Sequence, residues 1–216
     1  MNRSVLFAAA LVLASPVAAS ATSLVDGGFE IKGAALPVTD YCYDGFITPG
    51  GPACAPGAWV GAGVNRSGSG AWGGTASQAG DYHGFVQGTQ SLSQSFTATE
   101  SGIVSLSWFD TNRTNNGGDQ SYVVSISIGS NIKGTGSYTS SQGGWVGRTL
   151  SPFSLVAGNT YTVKFAGLST EDRTAFVDSV SLSSTAVPEP SSWAMLLAGF
   201  GLIGFAARRR RAAIAA

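Results

Sequence analysis

The chain has 216 residues, with 12 Lys and Arg against 12 Asp and Glu, 30 glycines, two cysteines and one histidine. Only 11% of it is charged and the formal net charge is zero, which excludes the basic stripe of a nucleic-acid binder. Two cysteines and one distant histidine are too few to complete a zinc site.

The first element is a leader. Asn2-Arg3 is basic, Val5 to Leu13 is apolar, and Ala19-Ser20-Ala21 is an A-x-A cleavage sequence. That order is a secretory signal peptide, so residues 1–21 are read as a signal helix removed on Sec export, with the mature chain starting at Thr22.

Residues 22–186 are the right length for one domain. They carry 7 Lys and Arg against 11 Asp and Glu, a formal charge of −4 that the terminal arginines mask in the whole-chain sum. Cys42 and Cys54 flank a Gly- and Pro-rich stretch. In an oxidising compartment they are expected to form a disulfide contributing roughly 2–4 kcal/mol. Strand patterns follow at residues 84–87, 92–96, 102–108, 121–128, 160–165 and 176–182, where apolar residues alternate with Ser, Thr or other polar residues. Trp108 is in phase with Val104 and Leu106 and is assigned to the core. Short strands separated by Gly, Asn and Ser clusters, with no helical stripe, indicate an all-β domain: an antiparallel β-sandwich or jelly roll.

The chain closes with Val187-Pro188-Glu189-Pro190-Ser191-Ser192-Trp193-Ala194, an uncharged run over residues 193–207, and Arg208-Arg209-Arg210-Arg211. Pro188 and Pro190 disfavour helix before them, so 187–190 is read as an extended, protease-accessible strip. The uncharged run is shorter than the ~20 residues that span a bilayer comfortably. Trp193 suits the outer interface and the arginines the cytoplasmic side of a single transmembrane helix. Residues 212–216 are a short extension. A plain tail anchor fits these facts, but the phrase PEPSSWAMLLAGFGLIGFAARRRR resembles the PEP-CTERM sorting signal of the PEPxxWA subtype. That signal occurs on exported proteins of Gram-negative bacteria and is recognised by an exosortase. The resemblance implies transient residence in the inner membrane, cleavage near Pro188-Glu189-Pro190, and transfer of the domain to the cell surface or extracellular matrix.

A second resemblance covers most of residues 22–184. The opening Asp26-Gly27-Gly28-Phe29-Glu30 and the closing Phe176-Val177-Asp178-Ser179-Val180-Ser181-Leu182 are similar to the end strands of galactose-binding-like jelly rolls, especially carbohydrate-binding modules. This resemblance implies a structural Ca²⁺ held by Glu30, Asp178 and the Gly28 carbonyl, all hard oxygen ligands. Glycan binding needs aromatic faces and neighbouring polar groups. Tyr41, Tyr43, Trp59, Trp72 and Trp145 lie in Gly-rich loop sequence, with Arg113 in a polar run, and at least half of these aromatics are expected to be packing residues instead.

Catalysis finds little support. His83 lies two residues from Asp81, but no nucleophile-elbow sequence precedes a helix, and Asp110 with Asp119 is a carboxylate pair by spacing alone. The sequence therefore reads as a non-catalytic exported β-sandwich that binds glycan, an extracellular polysaccharide or another surface glycan. The alternatives are a purely structural surface protein and, third, a secreted glycan hydrolase.

Overall fold

The computed structural model describes residues 22–34, 36, 41–44, 53–68, 75–116, 118–184 and 195–204. The signal segment, Trp72, residues 187–194 and Arg208, Arg209, Arg210 and Arg211 lie outside these residues, and with them the leader, the cleavage motif, one candidate ligand aromatic and the arginine block.

Ten strands form two antiparallel sheets. They are β1 (Tyr41–Tyr43), β2 (Gly63–Arg66), β3 (Tyr82–Gln87), β4 (Ser91–Thr97) and β5 (Gly102–Asn112), then β6 (Gln120–Ile128), β7 (Asn131–Ser140), β8 (Val146–Leu155), β9 (Thr160–Gly167) and β10 (Thr174–Ser184). One sheet has the order β1-β2-β3-β10-β5-β8 and the other β4-β9-β6-β7. Each inner face buries alternate residues, as half-buried strands require. Leu106 and Trp108 of one sheet meet Tyr122, Val163 and Phe165 of the other in a single core. Trp108 sits 5.5 Å from the Phe165 ring and donates its Nε1–H to the Tyr122 hydroxyl at 2.9 Å, confirming it as a core residue. Cys42 and Cys54 are disulfide-bonded, tying β1 to the loop after it.

The opening phrase is a turn followed by one helical turn, α1 (Glu30–Gly33), rather than a strand. Asp26 explains the change: its two carboxylate oxygens accept the backbone N–H groups of Ile31 and Lys32, both at 3.0 Å, and so cap the turn. The opening and closing phrases do meet, with Val180 N–H bonded to Gly27 O at 2.9 Å. Gly27 is needed there because a Cβ would overlap the Val180 carbonyl.

Residues 195–204 are helical. Among the described residues no helix is long and apolar enough to cross a membrane. The expected span over 193–207 extends past the described helix at both ends.

Candidate functional site

The two sheets differ on the faces they turn away from the core. On the four-stranded sheet that face is hydroxyl-bearing, with Ser95–Thr162, Thr97–Thr160 and Ser121–Thr139 paired across strands at 2.9–3.1 Å. On the six-stranded sheet it is aromatic. The register sets Tyr43, Gly63, Phe85, Phe176 and Thr111 side by side in one transverse row through β1, β2, β3, β10 and β5. Tyr41, Asn65 and His83 form the start of the neighbouring row.

Phe85 and Phe176 are fully buried, yet they belong to a cluster separate from the main core, covered by half-buried Tyr41, Tyr43 and Trp145. Tyr43 packs edge-on to Phe85 at 5.4 Å and to Tyr41 at 5.7 Å. Gly63 makes this possible, since a Cβ there would sit 2.5 Å from the Phe85 ring. Aromatic bodies therefore fill the face while the edges of three rings stay at the surface.

A polar group borders this face. Asp172 accepts hydrogen bonds from Arg113, Gln87 and Asn116, and Tyr43 Oη donates to Gln87 Oε1 at 2.8 Å. Burial pulls the Asp172 carboxyl up, but these donors outweigh it and hold the group below its usual value. Burial, with Tyr41 and Asp172 adding, pushes the Tyr43 phenol up to about 12. Both groups keep their neutral-pH charge states across the physiological range.

Residues 75–81 form a strap held by side chains of this face. Trp145 Nε1–H donates to Ala76 O at 2.8 Å, and Ser77 Oγ lies 2.9 Å from His83 Nδ1. Asp178 Oδ2 accepts Gln78 N–H and Ala79 N–H at 2.9 and 3.1 Å. At the end of the strap, Glu30 Oε1 accepts the N–H groups of Asp81 and Tyr82. Gly80, at φ +67°, leaves room for that carboxylate, which any Cβ would overlap. A bulge between Asp178 and Ser181 swaps strand parity, so Asp178 points to the strap and Val180 to the core.

The structure therefore brings Glu30, Asp178 and Gly28 together. An ideal Cβ on Gly28 would lie 3.9 Å from both Asp178 Oδ1 and Glu30 Cγ. Burial, aided by the Glu30 charge, raises the Asp178 carboxyl to about 6. Among the described residues no group of three or more His, Cys, Asp and Glu side chains could hold a metal, so backbone carbonyls would have to complete any shell. Glu30 and Asp178 are thus two carboxylates pinned by backbone N–H donors, and the charge of the first helps to raise the second.

Other sequence-selected residues fall elsewhere. Trp59 is fully buried in the core, 5.1 Å from Phe29 and 6.1 Å from Phe165, with Nε1–H bonded to Asp26 O. It offers no face to a ligand and is a packing residue. His83 is fully buried; its nitrogens meet Asn65 and Ser77, and burial lowers its pKa to about 3. Asp110 is buried and accepts from Tyr122 Oη at 2.6 Å and Arg148 Nε at 2.9 Å, while Asp119 is exposed.

Comparison with known proteins settles the tail. Residues 186–211 match the PEP-CTERM protein-sorting motif. The chain carries a PEP-CTERM sorting signal. The motif implies an exported, exosortase-processed cell-surface protein. No curated protein matches the chain as a relative. Among solved structures, a cyclase from Fischerella sp. TAU aligns with TM-score 0.54 and 16% identity over 79% of this chain and 100% of that one. The carbohydrate-binding module TmCBM61, solved with β-1,4-galactotriose, gives 0.49 and 15% over 76% and 99%. The CBM22-1 xylan-binding domain from Paenibacillus barcinonensis gives 0.44 and 12% over 60% and 87%. The domain is an antiparallel two-sheet sandwich, and at 16% identity what it shares with the cyclase is the fold alone.

Proposed function

We propose that the mature protein is a non-catalytic surface or matrix component of a Gram-negative bacterium that binds extracellular polysaccharide on the outer face of its six-stranded sheet. Before cleavage it is held in the inner membrane by its tail. One observation carries the reading: Tyr41, Tyr43 and Trp145 sit over Phe85 and Phe176 on a face the core does not use. Pyranose rings present apolar C–H faces to such aromatics, and their hydroxyls find donors and acceptors in Gln87, Asn116 and Asp172. The nesting of first and last strands in one sheet supports the jelly-roll form. The two groups weighed for catalysis are taken up within the fold: His83 bonds Asn65 and Ser77, and Asp110 is engaged by Tyr122 and Arg148.

Retention on a column of the host's exopolysaccharide tests the proposal. Trp145→Ala and Tyr41→Ala are each expected to weaken binding by about 2 kcal/mol, roughly 30-fold in Kd. Wild-type protein that elutes with the void, as a purely structural protein would, overturns it. So does retention that both variants keep.

Glu30, Asp178 and the Gly28 carbonyl are the proposed Ca²⁺ ligands, the cation serving to neutralise the carboxylate pair beneath the strap. Calcium is expected to raise Tm over the chelated protein, with the rise lost in Glu30→Gln and in Asp178→Asn. Identical melting with calcium and with chelator removes the site.

A further inference from the structure

The two ends of the sandwich are chemically different. Thr22, the start of the mature chain, hydrogen-bonds Thr99 through their hydroxyls at 3.1 Å and accepts the Thr99 N–H at 3.0 Å. At the other terminus, β10 ends with Ser184 paired to Val104. Both termini therefore leave from the end built by turns 98–102 and 156–159. Those turns are tied together by Ala98 N–H to Asn159 O, Gly158 N–H to Ala98 O, and Ala157 N–H to Ser101 Oγ at 2.8–2.9 Å. Glu100 is the one charged residue in the two turns, and beside them Ile103 is 51% and Val156 54% exposed. At the opposite end, where β10 begins, Arg113 pairs with Asp172 and Arg173 with Glu171.

Chain length makes this end matter. Three residues separate Ser184 from Pro188, and five from Pro190. At no more than ~3.6 Å per residue the sorting motif lies within about 22 Å of the sheet end. That is less than the ~30 Å diameter of a small domain. An enzyme of that size that cleaves there works within reach of the part of the sandwich from which β10 emerges.

We infer that the end of the sandwich bearing Ile103 and Val156 is the surface on which the sorting enzyme docks during cleavage. The inference rests on the sorting reading and adds to it a recognition surface outside the tail. The occupant is a protein rather than lipid. Two exposed aliphatic side chains offer too little apolar area to seat the domain in a bilayer, and Glu100 opposes an anionic headgroup surface. An apolar, weakly charged patch next to the scissile segment suits a shallow protein–protein contact.

The test follows maturation of the full-length protein in its host by pulse-chase and intact mass. Wild type is compared with Ile103→Glu/Val156→Glu, each with and without ten Gly/Ser residues inserted after Ala186. The double variant is expected to lose its signal peptide normally but to be cut at the sorting motif at least ten-fold more slowly. The insertion should erase the difference between wild type and the double variant, because the enzyme then no longer has to touch the domain in either. Ile103→Ser/Val156→Ser, which introduces no charge, should show the same defect in milder form. Cutting of the double variant at the wild-type rate overturns the docking surface, and so does a gap between wild type and the double variant that the longer linker leaves unchanged. Wild type that is never cut would instead remove the sorting reading, and this inference with it.

Discussion

Trp59→Ala is expected to destabilise the domain by about 3–5 kcal/mol, read from urea unfolding, whereas Trp145→Ala costs no more than about 1–2 kcal/mol. Trp59 is fully enclosed between Phe29 and Phe165, and truncating it opens a cavity that close-packed neighbours cannot fill. It also strands the Asp26 carbonyl, which accepts the indole N–H at 2.8 Å, next to the turn that starts α1. Trp145 is half-buried, and its replacement loses an edge contact to His83 and one bond to the strap. The pair therefore separates packing from binding: the stability loss belongs to Trp59 and the loss of polysaccharide retention to Trp145. Equal destabilisation by the two replacements would show that the outer aromatic face is a second core.

Acid should weaken the fold through His83. Burial holds this imidazole neutral, with its pKa lowered from 6.5 to about 3, while in the unfolded chain it protonates near 6.5. Its folded-state pKa is depressed, so the unfolded state binds the extra proton. The stabilisation is complete above pH 6.5 and falls by about 1.4 kcal/mol per pH unit as the pH drops toward 3. Asp178 runs the other way: its carboxyl is raised to about 6 and becomes easier to keep buried as it protonates. Comparison of wild type with His83→Gln at each pH cancels that contribution, because both proteins carry Asp178. The stability gap between them is expected to narrow by about 1.4 kcal/mol per unit from pH 6.5 to 4.5, and a constant gap would show that His83 is not held neutral.

The sandwich was legible wherever apolar and polar residues alternate. The strand signals at 102–108, 121–128, 160–165 and 176–182 all fall inside β5, β6, β9 and β10. Where alternation fails, so did the reading. Strand β7 has the edge-strand sequence Asn131-Ile132-Lys133-Gly134-Thr135-Gly136, whose glycines pack under Leu150, Phe153 and Tyr138 instead of contributing side chains. Strand β8 carries Gly147 and Pro152, which are tolerated because it is the edge of its sheet. Strands β1 and β2 sit in Gly- and Pro-rich sequence that reads as loop, yet they place Tyr41 and Tyr43 on the aromatic face. For the candidate site, the convergence of Glu30 and Asp178 was signalled by short phrases at the two ends of the domain. The aromatic row was not, because it is assembled across strands from residues far apart in sequence. Phe85 and Phe176 looked like ordinary core alternation, and only the register shows that they face away from the core. Trp59 misled because Gly-rich flanks suggest an exposed loop, while its indole fills the interior.

The measurement that bears most directly on the account is the intact mass of the protein recovered from its native host, together with the fraction in which it is found. A chain starting near Thr22 and ending within Pro188-Glu189-Pro190, on the cell surface or in the matrix, is the expected result. A chain that keeps residues 191–216 and stays in the inner membrane would contradict it, leaving an anchored sandwich with no route to an extracellular polysaccharide.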